Sequence, residues 1–263
     1  MKKIFKAIAT FLATVCCLGI FAGCNKPTVV VGYTEYAPMN YTNEKGKFVG
    51  FDTELAQKVF KELGYRVRFK EIDWDNKYSE LDGGTINCIW NGFTSNCADS
   101  DGVERSAKVD FSYNYMTNAQ CVIRLNSAEE LPNKEALAGK SVAFEGGSAG
   151  QSYAEKIAGV NAKNVSSQMD AVFEVKSGTA QYAVVDLLLA QSVVGQGDFA
   201  NVTINSSIVI DAEYYAIGFK KDSELTALVN QKLEEYAENG YLSQLAEKYG
   251  LSTQVITDFS SQK

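Results

Sequence analysis

One unit recurs along this chain and constrains its fold more than any other feature. It is a short apolar run followed by a segment whose apolar residues fall on one helical stripe and which stops at a glycine. TVVVGY opens the series, and Val29 to Val31 form an unbroken apolar stretch suited to a strand covered on both faces. FDTELAQKVFKELG follows, with Leu55, Val59 and Leu63 spaced four apart, Asp52 as the candidate N-cap and Gly64 as the stop. YRVRFKEI alternates Tyr65, Val67 and Phe69 against charges and reads as a half-exposed strand, and LDGGTINCIWNGFT gives a third strand over about Ile86 to Trp90. Strands alternating with helices in this way predict an α/β unit, a mostly parallel sheet with helices on its faces.

The middle of the chain repeats the pattern. GKSVAF is a strand, SAGQSYAEKIAG a helix ended by Gly159, NAKNVS a short strand, MDAVFEVKSG a helix ended by Gly178, and QYAVVD a strand with Asp186 at its carboxyl end. YYAIGFK then reads as one more strand. DSELTALVNQKLEEYAENG reads as a helix with Leu225, Leu228, Val229 and Leu233 on one stripe, and YLSQLAEKYG as a short last helix. These closing elements have no sheet of their own to cover, so they must pack on an earlier unit, and the chain crosses between the two units twice.

The first 23 residues read as a signal peptide, with Lys2, Lys3 and Lys6 ahead of an apolar stretch from Ile8 to Ala22 that is too short for a spanning helix. Ala22-Gly23-Cys24 resembles a bacterial lipobox, with Phe21 where Leu is usual, so Cys24 is the expected lipid (palmitate) site and residues 24–26 the anchored start and linker. A plain signal peptide cleaved nearby is the alternative. Without those three lysines the chain holds 22 basic residues against 32 acidic, a net charge of −10. Such a balance disfavours nucleic acid or an anionic membrane surface as a partner. No later run reaches the roughly 18 apolar residues of a membrane span, so the body is expected to be tethered at one end only. Cys88, Cys97 and Cys121 remain, an odd number, either as one pair with a free thiol or as three thiols, and without metal-ligand spacing. The chain has no histidine. That removes Ser-His-Asp and Cys-His nucleophiles and the usual zinc sites and argues against an enzyme; no metal or cofactor is implied.

In open α/β sheets ligands sit at the carboxyl ends of strands. The residues found there are Tyr33 and Tyr36 in YTEYAPM, Trp74 in IDWDNKY, Asn91, Gly92 and Thr94 in WNGFT, Gly147, Ser148 and Ala149 in FEGGSAGQSY, and Asp186. Each also has a purely structural reading. Tyr36 beside Pro38 covers a turn, Gly-Gly-Ser starts many ordinary helices, and Asp186 caps the helix DLLLAQSV. Trp74 between Asp73 and Asp75 is less readily core. A glycine-rich turn feeding a helix is suited to an anion.

Order and spacing carry more than any single residue. GYTEYAPM, VGFDTELAQKV, IDWDNKYSEL, INCIWNGFT, ERSAKVDFSYNYM, LAGKSVAFEGGSAGQSY, VKSGTAQYAVVD and the segment from Tyr214 to Gly250 resemble the successive landmarks of the family 3 extracellular solute-binding proteins, the polar amino-acid receptors of ABC importers. The resemblance runs from about Val29 to Gly250. It implies an α/β, periplasmic-binding-protein-like type II (Venus-flytrap) fold, with lobe 1 over 27–114 plus 216–263, hinge strands over 115–119 and 211–215, and lobe 2 over 120–210.

By the same resemblance, Arg105 grips a ligand α-carboxylate, helped by the backbone N–H groups of Ser148 and Ala149. Asp186, the Asn91 carbonyl and the Thr94 hydroxyl accept from the α-ammonium, and Tyr36 and Trp74 wall the ligand. A guanidinium fork suits a carboxylate, and acceptors suit a group that only donates. Several positions depart from the pattern. TSNCADSDGVER is longer than the usual turn before the arginine. Tyr33 stands where relatives that bind cationic amino acids often place an aspartate. Glu145 stands where others have lysine or an apolar residue, and either supplies that missing charge or accepts from an amide. The implied function is capture of a polar amino acid (glutamine, histidine, a cationic residue or cystine) by a lipid-anchored monomer outside the bacterial membrane, and delivery to an ABC permease and its ATPase by lobe closure. A cyclohexadienyl-dehydratase-like enzyme and an amino-acid sensor are the alternatives.

Overall fold

Val29 and Val31 are buried in the strand that the sequence predicts, β1 (Thr28–Tyr33), in a computed structural model that describes residues 26–208 and 210–263. The leader segment and Cys24 lie outside the described residues. A small hairpin, β2 (Tyr41–Thr42) and β3 (Phe48–Val49), leads into α1 (Phe51–Glu62). Then come β4 (Arg66–Glu71), α2 (Lys77–Asp82), β5 (Cys88–Ile89), α3 (Arg105–Lys108) and β6 (Asp110–Phe111). Leu55 and Val59 of α1 are fully buried, each contributing about 1.5–3 kcal/mol relative to exposure. Asp52 is not the cap of this helix. α1 starts at Phe51, after Gly50, two residues earlier than a cap at Asp52 would place it, and the Asp52 carboxylate is buried, accepting from the Tyr115 hydroxyl at 2.8 Å and the Gly92 N–H at 2.9 Å.

The second lobe holds β7 (Met116–Leu125), β8 (Ser141–Glu145), α4 (Ala149–Glu155), β9 (Asn161–Val165), α5 (Gln168–Ser177), β10 (Tyr182–Asp186), α6 (Leu187–Val193) and β11 (Val202–Ile204). β8, β9 and β10 are mutually parallel in the order β10-β8-β9, and β7 runs antiparallel beside β10. α4 is shorter than predicted and ends well before Gly159, whereas α5 ends at Gly178, whose φ of 75° is the left-handed conformation that a helix stop favours.

YYAIGFK is not one strand. It divides into β12 (Ala212–Tyr215), which pairs with the first residues of β7, and β13 (Gly218–Phe219), which enters the first sheet between β5 and β6. Ala216 and Ile217, both fully buried, bridge the two. The first sheet therefore has the order β4-β1-β5-β13-β6, mixed rather than all parallel, because its fourth strand returns from the far end of the chain. α7 (Glu224–Glu238) and α8 (Tyr241–Lys248) then lie against the first lobe. Glu62 of α1 accepts from Lys232 and Tyr236, and Glu54 from Lys248 and Tyr249. Within the predicted α7 stripe Val229 and Leu233 are buried, while Leu228 is exposed.

The carboxyl ends of β1, β5, β8 and β10 carry Thr34, Asn91, Glu145 and Asp186 to the gap between the lobes. Among the described residues, three hydrogen bonds span that gap. The Gly147 carbonyl accepts from Lys77 Nζ at 2.8 Å and Arg105 Nη2 at 3.0 Å, and the Ala37 carbonyl accepts from the Ser192 hydroxyl at 2.9 Å.

Candidate functional site

A narrow cavity of about 10 Å³ lies where the closed lobes meet, far below the roughly 300–1,000 Å³ of drug-sized pockets. Trp74, Asn91, Gly92, Thr94 and Arg105 line it from the first lobe, and Glu145, Ser148, Ala149, Gln168 and Asp186 from the second.

Arg105 is 1% exposed and opens α3 immediately after the long loop. Its Nε donates to Asp99 Oδ1 at 2.7 Å, Nη1 to the Thr94 carbonyl at 3.1 Å and Nη2 to the Gly147 carbonyl at 3.0 Å. A guanidinium has five N–H donors, so two are left for a ligand. Asp99 is the residue that orients it, and it also accepts from the Tyr78 hydroxyl and Lys108. Burial acts to raise the Asp99 carboxyl, but the Arg105 guanidinium with Tyr78 and Lys108 overcomes this and holds it at about 2. The sequence flagged the loop as unusually long without identifying its role, which is to bring Asp99 back onto Arg105.

On the opposite side Asp186 stands at the N-cap position of α6, yet its side chain caps nothing there. Asn118 Oδ1 accepts from the Leu188 N–H instead. The Asp186 carboxylate accepts from Asn118 at 3.1 Å, from Gln120, and from Gln168 at 2.7 Å, so its charge is solvated by three side-chain amides. The same Asn118 and Gln120 amides donate to Glu213, which also accepts from the Thr94 hydroxyl at 3.1 Å. Burial and the neighbouring Asp186 charge push the Glu213 carboxyl up to about 7, and burial raises Asp186 as well. Glu145 is 3% exposed, and its Oε1 has no hydrogen-bond partner. Burial, with the Asp186 charge next, raises its carboxyl well above the usual range.

The other predicted residues are placed as follows. Trp74 is buried with its ring edge-on to Phe93. The side chain of Asn91 is spent inside the first lobe, accepting from the Thr34 hydroxyl and donating to the Thr34 carbonyl and Asn40, which leaves its backbone for the cavity. Gly92 has φ 57°, and an added Cβ would lie 2.7 Å from Tyr36 and 2.9 Å from Tyr215, so only glycine fits. Tyr36 does not line the cavity; it lies behind Gly92, its hydroxyl 2.7 Å from that of Tyr215. Tyr33 is not in the site, because its ring packs on Phe48 and Phe69. The Ser148 N–H is turned back to the Glu145 carbonyl at 3.3 Å and its hydroxyl caps Gln151 N, so of the two expected N–H groups that of Ser148 is used within the turn, while Ala149 lines the cavity. Gly147 offers the site its carbonyl rather than its N–H. The latter donates to Gln151, and an added Cβ would meet Lys77 Nζ at 2.9 Å across the gap.

Lys77, Asp99, Asn118, Gln120, Gln168 and Glu213 were missed from sequence. Asn118 and Gln120 had a readable signal, two polar residues two apart within the apolar β7 segment and so on one face of it. Lys77 is 1% exposed and sits within reach of the Trp74 and Tyr78 rings, and burial lowers its ammonium to about 7.

Two α/β lobes joined by paired strands, closing on a small cavity with a guanidinium from one lobe and carboxylates from the other, define a binding protein for a small zwitterionic solute. Residues 29–252 match the bacterial extracellular solute-binding proteins, family 3, and the chain belongs to that family, whose members are binding proteins rather than enzymes. It is 28% identical over 233 residues to an arginine-binding extracellular protein of Bacillus subtilis strain 168, covering 85% of this chain and 86% of that one. It is 26% identical over 234 residues to an L-cystine-binding protein of Escherichia coli K12, covering 84% and 82%. Among solved structures it resembles an ancestral arginine-binding protein bound to arginine, with a TM-score of 0.77, 31% identity and coverage of 86% of this chain and 99% of that one.

Proposed function

We propose that this protein captures a free polar amino acid in the inter-lobe cavity and presents it to an ABC importer in the closed state. The observation that carries the reading is that Arg105 and Asp186, from opposite lobes, line the same enclosed cavity. A zwitterion satisfies both, its carboxylate toward the guanidinium and its ammonium toward the acid, and a buried charge pair needs both ends met. Its relatives, an arginine-binding and an L-cystine-binding protein, support the same class of solute. The antiparallel pair of β12 with the start of β7 is the proposed hinge, and closure sequesters the ligand while building a surface that spans both lobes.

The protein is read as a monomer, held at the outer face of the membrane by a lipid on Cys24. No helix among the described residues is long and apolar enough to cross a membrane. A thermal-shift screen of the twenty amino acids and cystine, followed by calorimetry, tests the central reading. It expects a dissociation constant of about micromolar or tighter, roughly −8 kcal/mol, for at least one of them; stabilisation by none would refute it. Replacing Cys24 by Ser is expected to release the protein from the membrane fraction.

A further inference from the structure

Among the described residues, Glu145 is the one carboxylate with a buried oxygen that nothing meets. The contrast with its neighbours is what makes this informative. Asp186 and Glu213 are each solvated by side-chain donors, and neither has a bare buried oxygen. Both cations near the cavity are committed elsewhere. Arg105 is held by Asp99, and Lys77 Nζ donates to the carbonyls of Gly147 and Trp74, so neither forms an ion pair with Glu145. An acid in that condition stays neutral by keeping its proton or waits for a cation.

An amino acid's own ammonium is accounted for by Asp186 on the reading above, on which this inference rests. A second positive group is therefore needed to match Glu145. We propose that Glu145 is the specificity-determining acceptor of the site, and that the ligand is an amino acid with a basic side chain whose guanidinium or ammonium ends on the Glu145 carboxylate. The charge that Tyr33 does not supply from the first lobe comes in this way from the second. A neutral amide side chain would donate to Glu145 without compensating its charge, whereas a basic one does both. Burial raises the free Glu145 carboxyl, and a cation placed on its carboxylate acts in the opposite direction, so loading a basic ligand favours loss of a proton.

Arginine and citrulline have nearly the same shape and differ in charge, which makes them the discriminating pair. Calorimetry on the parent, Glu145→Gln and Glu145→Leu, with lysine, ornithine, glutamine, histidine and cystine alongside, tests the assignment. The expected result is that arginine or lysine binds at least about 100-fold more tightly than citrulline or glutamine to the parent, a charge-assisted bond set against one that leaves the buried charge uncompensated. Glu145→Gln is expected to shrink that ratio below about tenfold without lowering the melting temperature of the free protein. Binding enthalpies in buffers of different ionisation heat are expected to show proton release for basic ligands, and to lose it in the variant. A neutral amino acid bound as tightly as arginine, or a ratio unchanged in Glu145→Gln, overturns the inference and leaves amino-acid capture standing. No binding of any amino acid overturns both.

Discussion

Asp99 Oδ1 and Arg105 Nε are 2.7 Å apart, and this contact folds the longest irregular loop of the first lobe back onto the residue best placed to grip a ligand. Because Asp99 also accepts from Tyr78 and Lys108, it fixes the plane of the guanidinium and not merely its charge. Asp99→Asn breaks a buried pair and strands the Arg105 charge, at a cost of about 3–5 kcal/mol. For a chain of this size a loss of 1 kcal/mol lowers the melting temperature by about 2–4 °C, so a fall of at least about 6 °C is expected by calorimetry. A change under about 2 °C would show that Asp99 does not hold the site together.

Arg105→Ala is expected to weaken ligand binding more than about tenfold, because the buried ligand carboxylate loses its partner. Arg105→Lys should fail nearly as badly. One ammonium cannot reproduce three bonds fixed in a plane to Asp99, Thr94 and Gly147 while still reaching a ligand. Titration calorimetry at a temperature where circular dichroism shows both variants folded decides this; unchanged affinity in either would remove Arg105 from the site.

Asp186→Asn probes the other end of the ligand. Asn118, Gln120 and Gln168 all point amide nitrogens at this carboxylate, so an asparagine there sets its own amide donor against one of them. The discriminating readout is a ratio. Amino acids should lose more affinity than the matching deaminated acids, which lack the ammonium that Asp186 accepts from. Equal losses for both would mean that the substitution only disturbs packing.

Strand and helix order was legible because the apolar periods of Val29 to Val31 and of Leu55, Val59 and Leu63 are local and strong. Residues following strand ends could be nominated for the same reason, as Asp186 was, whereas Arg105 and Glu145 came from the family resemblance. Tyr33 went the other way. It ends β1 as expected, but two phenylalanines distant in sequence take its ring away from the cavity. The carboxylate network was not legible either. Asn118 meets Glu213 only through the register of β12 on β7, a pairing across 95 positions with no local trace. Dividing YYAIGFK between two sheets needed the same long-range information, since its apolar pattern is continuous.

The three thiols in the described residues are free, so the alternative of one disulfide is the one not realised. Cys88 and Cys121 are buried, while Cys97 is partly exposed and burial raises its thiol to about 11. Native protein beginning at Asn25 is expected to react slowly with a thiol reagent at Cys97 and not at the other two, because the thiolate is the reactive form. All three should react after unfolding in denaturant without reductant, and reductant should leave the melting temperature unchanged. Only one reactive thiol in denaturant would reveal a bond.

The pH dependence of the free protein is set by buried groups whose effects differ in sign; Asp186 and Glu145 are raised by burial too and add to the loss of stability as pH rises. Asp52 and Glu213 are both raised to about 7, each chiefly by burial. Between their ordinary values of 3.8 and 4.5 and that point the folded chain holds protons that the unfolded chain has released, so stability is lost as pH rises through the window and the penalty is complete above pH 7. Lys77 is lowered from 10.5 to about 7, again chiefly by burial. There the unfolded chain holds the extra proton, so stability is regained as pH rises from 7 toward 10.5. The melting temperature of the ligand-free protein is therefore expected to pass through a minimum near neutrality, higher at about pH 5.5 and again at about pH 9. Asp52→Asn should flatten the acidic branch, since the Tyr115 hydroxyl can turn to accept from the new amide while the amide oxygen keeps the Gly92 N–H. Lys77→Met should flatten the alkaline branch and leave Gly147 its bond from Arg105. A melting temperature that peaks at neutrality in the parent would mean that burial does not shift these groups in this way.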